Sequence, residues 1–198
     1  EERAIEAVYM AFNCGIKNIS VDLMYDLPNQ TLTTWENTLR RARELPISHL
    51  SLYNLTIEPH TAFHKHKDIL LKQIPDSNTS LEMYEMAVNL LEEQGLLQYE
   101  ISAFARDGKY SRHNVGYWLA RPFLGLGPSA FSDWEGARFQ NAANLNRYCK
   151  ALDAGASPVD FHEKLETQAR RRELLTIQIR LLEGVDLNLF EKRHGELD

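Results

Sequence analysis

The feature that most constrains the fold is a succession of three predicted β-strands that are separated by helices. Residues 18–24, 49–56 and 99–103 each predict a strand, and residues 33–44 and 78–93 have the spacing of amphipathic helices. Strands that alternate with helices form βαβ units, which require a parallel sheet with right-handed crossovers. The sequence therefore predicts an α/β fold in this part of the chain.

Each predicted strand carries polar side chains on one of its faces. These residues are Ser20 and Asp22, Ser51 and Tyr53, and Glu100 and Ser102. A doubly wound sheet is covered by helices and is apolar on both faces, whereas the inner face of a barrel can carry polar groups. We therefore expect a partial barrel, with a ligand site at the carboxyl ends of its strands.

The sequence pattern changes after Ser132, where the remaining residues predict helices only. These helices are expected at residues 144–154, 163–182 and 187–194. We therefore divide the chain into two regions. Residues 1–132 contain the last strands and helices of the barrel, and residues 133–198 form a helical C-terminal region.

The composition is that of an ordinary globular protein. The 198 residues are 43% apolar and carry a formal net charge of −6, and without a basic cluster we expect no binding to nucleic acid. No apolar run approaches the roughly 20 residues that span a bilayer, and no charged-then-apolar leader opens the chain. These features predict a cytoplasmic protein without a transmembrane segment. The chain opens inside an amphipathic helix without a methionine, so we expect it to be part of a longer protein.

Two kinds of residue in the predicted barrel could bind a ligand. Asp22 lies near the carboxyl end of its strand, where barrel enzymes place ligand-binding side chains, although a carboxylate there could equally cap a helix or pair with an arginine. Glu100 faces inward on its strand and could handle protons if it is buried, or could pair with a lysine.

The hexapeptide HNVGYW at residues 113–118 combines an imidazole, a carboxamide, a phenol and an indole. In a helix, His113 and Tyr117 would lie four residues apart on one face, as would Asn114 and Trp118. An imidazole can ligate iron, and aromatic rings can stack on a macrocycle. The alternative is a hydrogen-bonded structural histidine beside aromatic residues.

Three further patterns have a structural alternative that we favour. His60, His64 and His66 have a spacing compatible with metal ligation but follow a proline and are flanked by lysines, which is typical of a solvated loop. The segment Gly125-x-Gly127 permits close approach of a ligand but lacks the third glycine of a dinucleotide fingerprint, so we favour a tight bend between strand and loop. Arg138 could bind a carboxylate of a ligand, whereas a surface salt bridge is the usual role.

Taken in order, five segments resemble the HemW heme chaperones, which belong to the radical S-adenosylmethionine superfamily and are relatives of the oxygen-independent coproporphyrinogen III oxidase HemN. The segments are ISVDLMYDLPNQT (residues 19–31), HLSLYNLTIEPHT (49–61), QYEIS (98–102), HNVGYW (113–118) and GVD (184–186). The similarity covers essentially the whole chain. It implies the C-terminal part of a radical S-adenosylmethionine partial (β/α)6 barrel, followed by a mostly helical region.

The resemblance also implies cofactors and the residues that bind them. A 4Fe-4S cluster would be held by an upstream CxxxCxxC loop, with S-adenosylmethionine chelating its fourth iron. No ligand of that cluster is therefore expected in this chain, whose only cysteines are Cys14 and Cys149. Asp22 corresponds to the aspartate associated with binding S-adenosylmethionine. The heme-associated HNxxYW motif corresponds to His113, Asn114, Tyr117 and Trp118.

The chain departs from the pattern of the family at four positions. Asp26 and Asn29 stand where glycine is usual, Ser111 where cysteine is often found, and Phe131 where histidine is common. An aspartate at a turn with positive φ is tolerable, but it adds a charge near the cofactor end of the barrel.

Three functions remain open at this point. The first is a chaperone that binds heme and passes it to heme proteins, which the QYEIS and HNxxYW segments favour. The second is oxidative decarboxylation of coproporphyrinogen propionates, which would make the parent protein an oxidoreductase. The third is a folded remnant with neither activity. The chain alone is expected to perform no radical chemistry, and its exposed strand edge would allow pairing into a homodimer.

Overall fold

The structure, a computed structural model, describes residues 2–196. It divides into two compact units, Glu1–Ser111 and Arg112–Asp198. The division differs from the boundary predicted after residue 132, and it assigns the HNxxYW segment to the C-terminal unit. The reason is local pairing, because Phe123 forms a β-bridge with Asp133 and ties the segment to the strands that follow it.

The N-terminal unit has the α/β character predicted from the sequence. Its elements are α1 (Glu2–Asn13), β1 (Ser20–Tyr25), α2 (Leu32–Arg43), β2 (His49–Asn54), α3 (Ala62–Lys65), α4 (Lys67–Leu70), α5 (Ser77–Glu92), β3 (Leu97–Glu100) and β4 (Ala103–Ala105). β1 and β2 are parallel and joined through α2, as the βαβ pattern requires.

The third predicted strand is wrong in its pairing. Residues 97–105 form a hairpin, and β4 inserts between β2 and β3 to give the strand order β1-β2-β4-β3. β4 is antiparallel to both neighbours. β3 therefore runs parallel to β2, as expected for strands that are connected through a helix, but it does not pair with β2. The two-residue turn at Ile101 and Ser102 leads directly into β4, and so short a turn can join only antiparallel strands.

The core of this unit lies between the sheet and the helices α2 and α5. The fully buried side chains include Trp35 and Leu39 from α2, Leu50 from β2, Met83 from α5 and Phe104 from β4. Val21, Leu23 and Tyr25 of β1 pack against the same cluster. The apolar side chains of β1 therefore point toward the helices. The alternate side chains of the strand, which include Asp22, point away from them.

The first turn of α2 is capped two residues earlier than the sequence predicts. Thr31 is the N-cap, and its hydroxyl accepts a hydrogen bond from the backbone N–H of Thr34, whose own hydroxyl accepts one from the N–H of Thr31. The spacing Thr33-x-x-Glu36 predicts a capping box that begins at Thr33. This prediction is wrong, because Glu36 instead pairs with Arg40 one turn further along. Threonine satisfies both orphan N–H groups in the way that the usual glutamate would.

The C-terminal unit contains α6 (Arg112–Trp118), β5 (Phe131–Trp134), β6 (Ala137–Asn141), α7 (Leu145–Asp153), β7 (Val159–Glu163), α8 (Thr167–Gln178) and α9 (Leu187–His194). The prediction that only helices follow Ser132 is wrong, because β5, β6 and β7 form a three-stranded antiparallel sheet. The hairpin between β5 and β6 turns at Glu135 and Gly136, which both have positive φ (52° and 75°). Two successive residues with positive φ are typical of a type I′ hairpin turn, although Glu-Gly is not one of the residue pairs that usually signal this turn in a sequence.

The long helix predicted at residues 163–182 is shorter in the structure. Glu163 belongs to β7, where it is in register with Arg138 of β6, and α8 begins only at Thr167. The apolar residues from Leu174 onward do follow a helical period, whereas the charged residues before them gave no signal that separates a strand end from a first helical turn.

Candidate functional site

The inward face of the four-stranded sheet is polar, as the strand parity predicts. Ser20 is in register with His49, and Asp22 is in register with Ser51. Because cross-strand partners project to the same face, these four side chains share one surface. Asp22 is exposed on it, while His49 and Ser51 are buried.

A chain of hydrogen bonds runs through the buried imidazole of His49. Its Nδ1 lies 2.8 Å from the hydroxyl of Ser20, and its Nε2 lies 2.9 Å from the hydroxyl of Tyr99. The Tyr99 oxygen also accepts a hydrogen bond of 3.1 Å from the backbone N–H of Ser111. Burial raises the pKa of Tyr99, so its hydroxyl stays protonated and donates to Nε2. A neutral His49 with its proton on Nδ1 then satisfies every member of the chain.

The imidazole of His49 makes folding of this unit sensitive to acid. Burial lowers the pKa of His49, and the carboxylates of Asp22 and Glu100 only partly oppose that effect. Below a pH of about 6.5 the unfolded chain takes up this proton before the folded chain does, so stability present at neutral pH is lost as the pH falls toward the pKa of the folded state.

We therefore expect the free energy of unfolding of the wild-type chain to decrease between about pH 7.5 and pH 5 more steeply than that of His49→Gln. Glutamine keeps a donor and an acceptor but does not titrate. Urea unfolding followed by circular dichroism at several pH values measures both slopes. Parallel slopes for the two proteins would show that His49 is not linked to folding.

Glu100 is buried, with only 2% of its surface exposed. Its Oε1 accepts hydrogen bonds from the backbone N–H and the hydroxyl of Ser102, at 3.1 and 3.2 Å. The carboxylate therefore holds the turn between β3 and β4 from inside, which is a structural role that the inward parity alone did not specify.

Asp26, which stands where the family usually has glycine, forms a buried junction in the N-terminal unit. It has a φ of 60° and is 4% exposed. Its Oδ2 accepts hydrogen bonds from the amide of Asn54 and from the hydroxyl of Ser80. Among the residues that the structure describes, Oδ1 has no partner although it is buried. The carboxylate that replaces the usual glycine therefore connects the turn after β1 to β2 and α5.

The HNxxYW segment forms α6, so its members do lie one helical turn apart. The rings of His113 and Tyr117 meet edge to face with centroids 4.6 Å apart, and Tyr117 meets Phe123 in the same way at 4.6 Å. The guanidinium of Arg180 stacks over Trp118 at 4.3 Å. The indole Nε1 of Trp118 is buried, with no acceptor in the described part of the chain.

A cavity of about 850 Å³ lies in the C-terminal unit beside α6, toward the upper end of the roughly 300–1,000 Å³ of small-molecule sites. Its apolar wall consists of aromatic and aliphatic side chains, namely Tyr117, Trp118, Phe123, Phe131, Phe161, Leu174 and Ile177. Two of the four HNxxYW residues therefore line it. His113 and Asn114 are not among its lining residues, although the ring of His113 contacts that of Tyr117.

The sheet contributes one face to this cavity in two rows. One row is Phe131, Gln140 and Phe161, and the next is Asp133, Arg138 and Glu163. The rings of Phe131 and Phe161 meet at 6.3 Å. Sequence reasoning missed Phe161 because its strand was assigned to a loop and a helix. The alternation of Val159, Phe161 and Glu163 was the signal available.

A network of ion pairs forms the polar part of the cavity wall. Arg138 donates to Glu163 and Glu173, and Arg170 donates to Glu173 at 2.6 Å and to both oxygens of Asp133 at 2.7 and 2.9 Å. Arg138 thus forms salt bridges, the role that we favoured for it from the sequence. The network also explains why its pKa is raised, since hydrogen bonding to Glu163 stabilises the charged form.

The two patterns with a favoured structural alternative behave accordingly. His60, His64 and His66 are exposed, as expected for solvated residues, but His64 lies in the helix α3 rather than in a loop. No group of three potential metal ligands occurs within residues 2–196. A Cβ on Gly125 would lie 2.1 Å from the carbonyl oxygen of Phe131, so the close approach of the backbone of β5 requires glycine at this position. Cys14 and Cys149 are both exposed and unpaired thiols. No helix in the described chain is long and apolar enough to cross a membrane.

Comparison with known proteins gives consistent relatives, although no protein-family model matches the chain. The chain is 32% identical to the heme chaperone HemW of Bacillus subtilis over 91% of its own length and 48% of that protein. It is 36% identical to radical S-adenosyl methionine domain-containing protein 1 of Danio rerio, over 93% of this chain and 41% of that protein. The chain spans about half the length of the curated relatives it matches.

The fold has a close counterpart among solved structures. The coproporphyrinogen III oxidase HemN of Escherichia coli, described as a radical SAM enzyme, superposes with a TM-score of 0.80 over 98% of this chain and 48% of that one. At 22% sequence identity this likeness establishes the fold alone. By sequence, several HemW proteins match nearly the whole chain. The chain therefore belongs with the HemW-type proteins of the radical S-adenosylmethionine superfamily.

Proposed function

We propose that the protein binds heme and passes it to other heme proteins, and that the cavity of the C-terminal unit receives the heme ring. The observation that carries this proposal is the position of Tyr117 and Trp118 in the wall of that cavity. The relatives named heme chaperones support it, since the matches cover 91% and 98% of this chain.

The chemistry of the wall suits a flat and largely apolar macrocycle. Tyr117, Phe123, Phe131 and Phe161 offer aromatic surfaces, and Leu174 closes the apolar side. Aromatic side chains stack on such rings and remove much apolar area from water, which is the main source of affinity in a site of this kind. The ion-pair network forms a polar part of the same wall, so the cavity suits a ligand that carries polar groups on an apolar ring.

We further propose that His113 is the residue of the motif that approaches the heme iron, and that Asn114 acts with it. His113 is exposed, and its ring already contacts Tyr117, which lines the cavity. A neutral imidazole with an accessible nitrogen is a common axial ligand of heme iron.

Asp22 is proposed to contribute to a site for S-adenosylmethionine. Its exposure on the polar face of β1 supports this role, because a carboxylate there can accept hydrogen bonds from hydroxyl or ammonium groups. The residues of this chain do not fit a 4Fe-4S cluster, which needs cysteine thiolates close together, whereas the sequence contains only Cys14 and Cys149. A porphyrinogen oxidase activity is supported by the shared fold alone.

Titration of the full chain with hemin tests the proposed cavity. Ile177 lies in its wall on α8, and Ile177→Trp should fill part of it and weaken binding at least about tenfold. Ile179→Trp provides a matched control, since Ile179 is the C-cap residue of α8 and is 59% exposed. His113→Ala should shift the Soret band and lower affinity. Equal binding by all four proteins, or no binding by the wild type, would contradict the proposal.

A further inference from the structure

The charged side chains that line the cavity differ in whether they form ion pairs with one another. Three arginines contribute to its wall, Arg121, Arg138 and Arg170, together with the three carboxylates Asp133, Glu163 and Glu173. Two of these arginines share all three carboxylates. A ligand that entered the cavity would therefore meet guanidinium groups in two different states.

Arg138 and Arg170 are both already paired with carboxylates of the protein. Nε, Nη1 and Nη2 of Arg138 each donate to Glu163 or Glu173, and both Nη atoms of Arg170 donate to Glu173 or Asp133. A ligand carboxylate drawn to either arginine would also approach the protein carboxylates that are bound there. Displacing one of them would leave a partly buried charge without its partner, which is costly.

Arg121 differs from the other two. Within the described residues its side chain makes no ion pair or hydrogen bond, and it is exposed at the cavity. Its backbone is nevertheless fixed, because its N–H donates to the carbonyl of Gly116 at 2.8 Å and closes the end of α6, with Ala120 at a φ of 52°. Its Cδ lies 3.7 Å from the position that a Cβ on Gly116 would occupy, so the stem passes along the HNxxYW helix.

We propose that Arg121 is the carboxylate-binding residue of this cavity, holding an acidic group on the edge of a flat ligand whose ring contacts the aromatic wall. This inference rests on the proposed function, since the heme propionates are carboxylates of this kind. A guanidinium can bind such a group through two parallel hydrogen bonds.

The remaining charges support a single orientation of the ligand. The two engaged arginines and three carboxylates sum to a net charge of −1, so that network repels an acidic group. Arg121 attracts it. An acidic ring therefore binds with its carboxylates toward Arg121, while its apolar edges face the aromatic residues.

The test compares hemin with hemin dimethyl ester, which has the same ring and iron but no free carboxylates. Wild-type chain, Arg121→Gln and Arg121→Lys are titrated with both ligands, and Arg172→Gln, an exposed position on α8, serves as the control. Arg121→Gln should weaken hemin binding about 5- to 20-fold, the range of a charge-assisted hydrogen bond at an accessible site. It should leave ester binding within about twofold, and Arg121→Lys should fall between.

Several outcomes would overturn the inference. Equal weakening of both ligands by Arg121→Gln would assign the residue a structural role only, and unchanged hemin binding would exclude it as an anchor while the proposed function stands. If the wild-type chain binds hemin and its ester equally, no carboxylate is recognised. Failure of the wild-type chain to bind hemin at all would overturn the proposed function together with this inference.

Discussion

Replacing Trp35 by alanine is expected to lower the free energy of unfolding of the N-terminal unit by about 3–5 kcal/mol, as for other large aromatic residues in protein cores. Trp35 is fully buried between α2 and the sheet. Its ring lies 5.9 Å from that of Tyr25. Alanine would leave a cavity at the centre of this contact, and the helices could close around it only in part.

The substitution also removes a buried hydrogen bond. The indole Nε1 of Trp35 donates to the backbone carbonyl of Met83 at 2.8 Å and so joins α2 to α5. Without it, a buried carbonyl in α5 loses its side-chain donor, which adds to the cost of the cavity. Trp35→Phe keeps most of the ring volume and should cost clearly less than Trp35→Ala.

Urea unfolding followed by far-ultraviolet circular dichroism measures this effect without relying on tryptophan fluorescence. Trp134→Ala is the matched control, because Trp134 is 45% exposed at the end of β5 and loses little buried area. The expected order of stability is wild type, Trp134→Ala, Trp35→Phe and Trp35→Ala. Similar midpoints for the two alanine variants would contradict the packing described for α2 and α5.

Replacing Arg170 by methionine is expected to destabilise the C-terminal unit by about 2–3 kcal/mol, somewhat less than the loss of a fully buried ion-pair partner. The side chains of Arg170, Asp133 and Glu173 are each only 20–22% exposed. Methionine preserves the apolar stem but removes the cation, so Asp133 loses the partner that binds both its oxygens. The carboxylates then repel one another in a partly desolvated site.

Arg172→Met controls for the loss of one positive charge from the same helix. Arg172 lies two residues further along α8 and is exposed, so its replacement should change stability by less than about 0.5 kcal/mol. Replacing Asp133 by asparagine in the Arg170→Met background should recover part of the loss, since it removes one of the unpaired charges. Equal effects of the two methionine substitutions would show that the network does not stabilise the fold.

Local sequence patterns were sufficient for much of the N-terminal unit. The alternation around Asp22 correctly predicted β1 and its polar face, because a strand exposes successive side chains on opposite sides whatever surrounds it. The capping of α2 at Thr31 and the hairpin at Ile101 were not predicted. In both cases the local sequence fits a second structure equally well. Glu36 fits a capping box that begins at Thr33, and residues 99–103 fit one continuous strand.

The sequence by itself determined the α/β character of the chain, the polar parity of its strands and the helical spacing of His113 and Tyr117, since each depends on neighbours within a few residues. Only the tertiary structure decided which residues enclose the cavity. The contact between Arg138 and Glu173 joins positions 35 residues apart, and it is this long-range pairing that leaves Arg121 as the available cation. Such pairing depends on how the sheet and α8 pack together, which no local periodicity encodes.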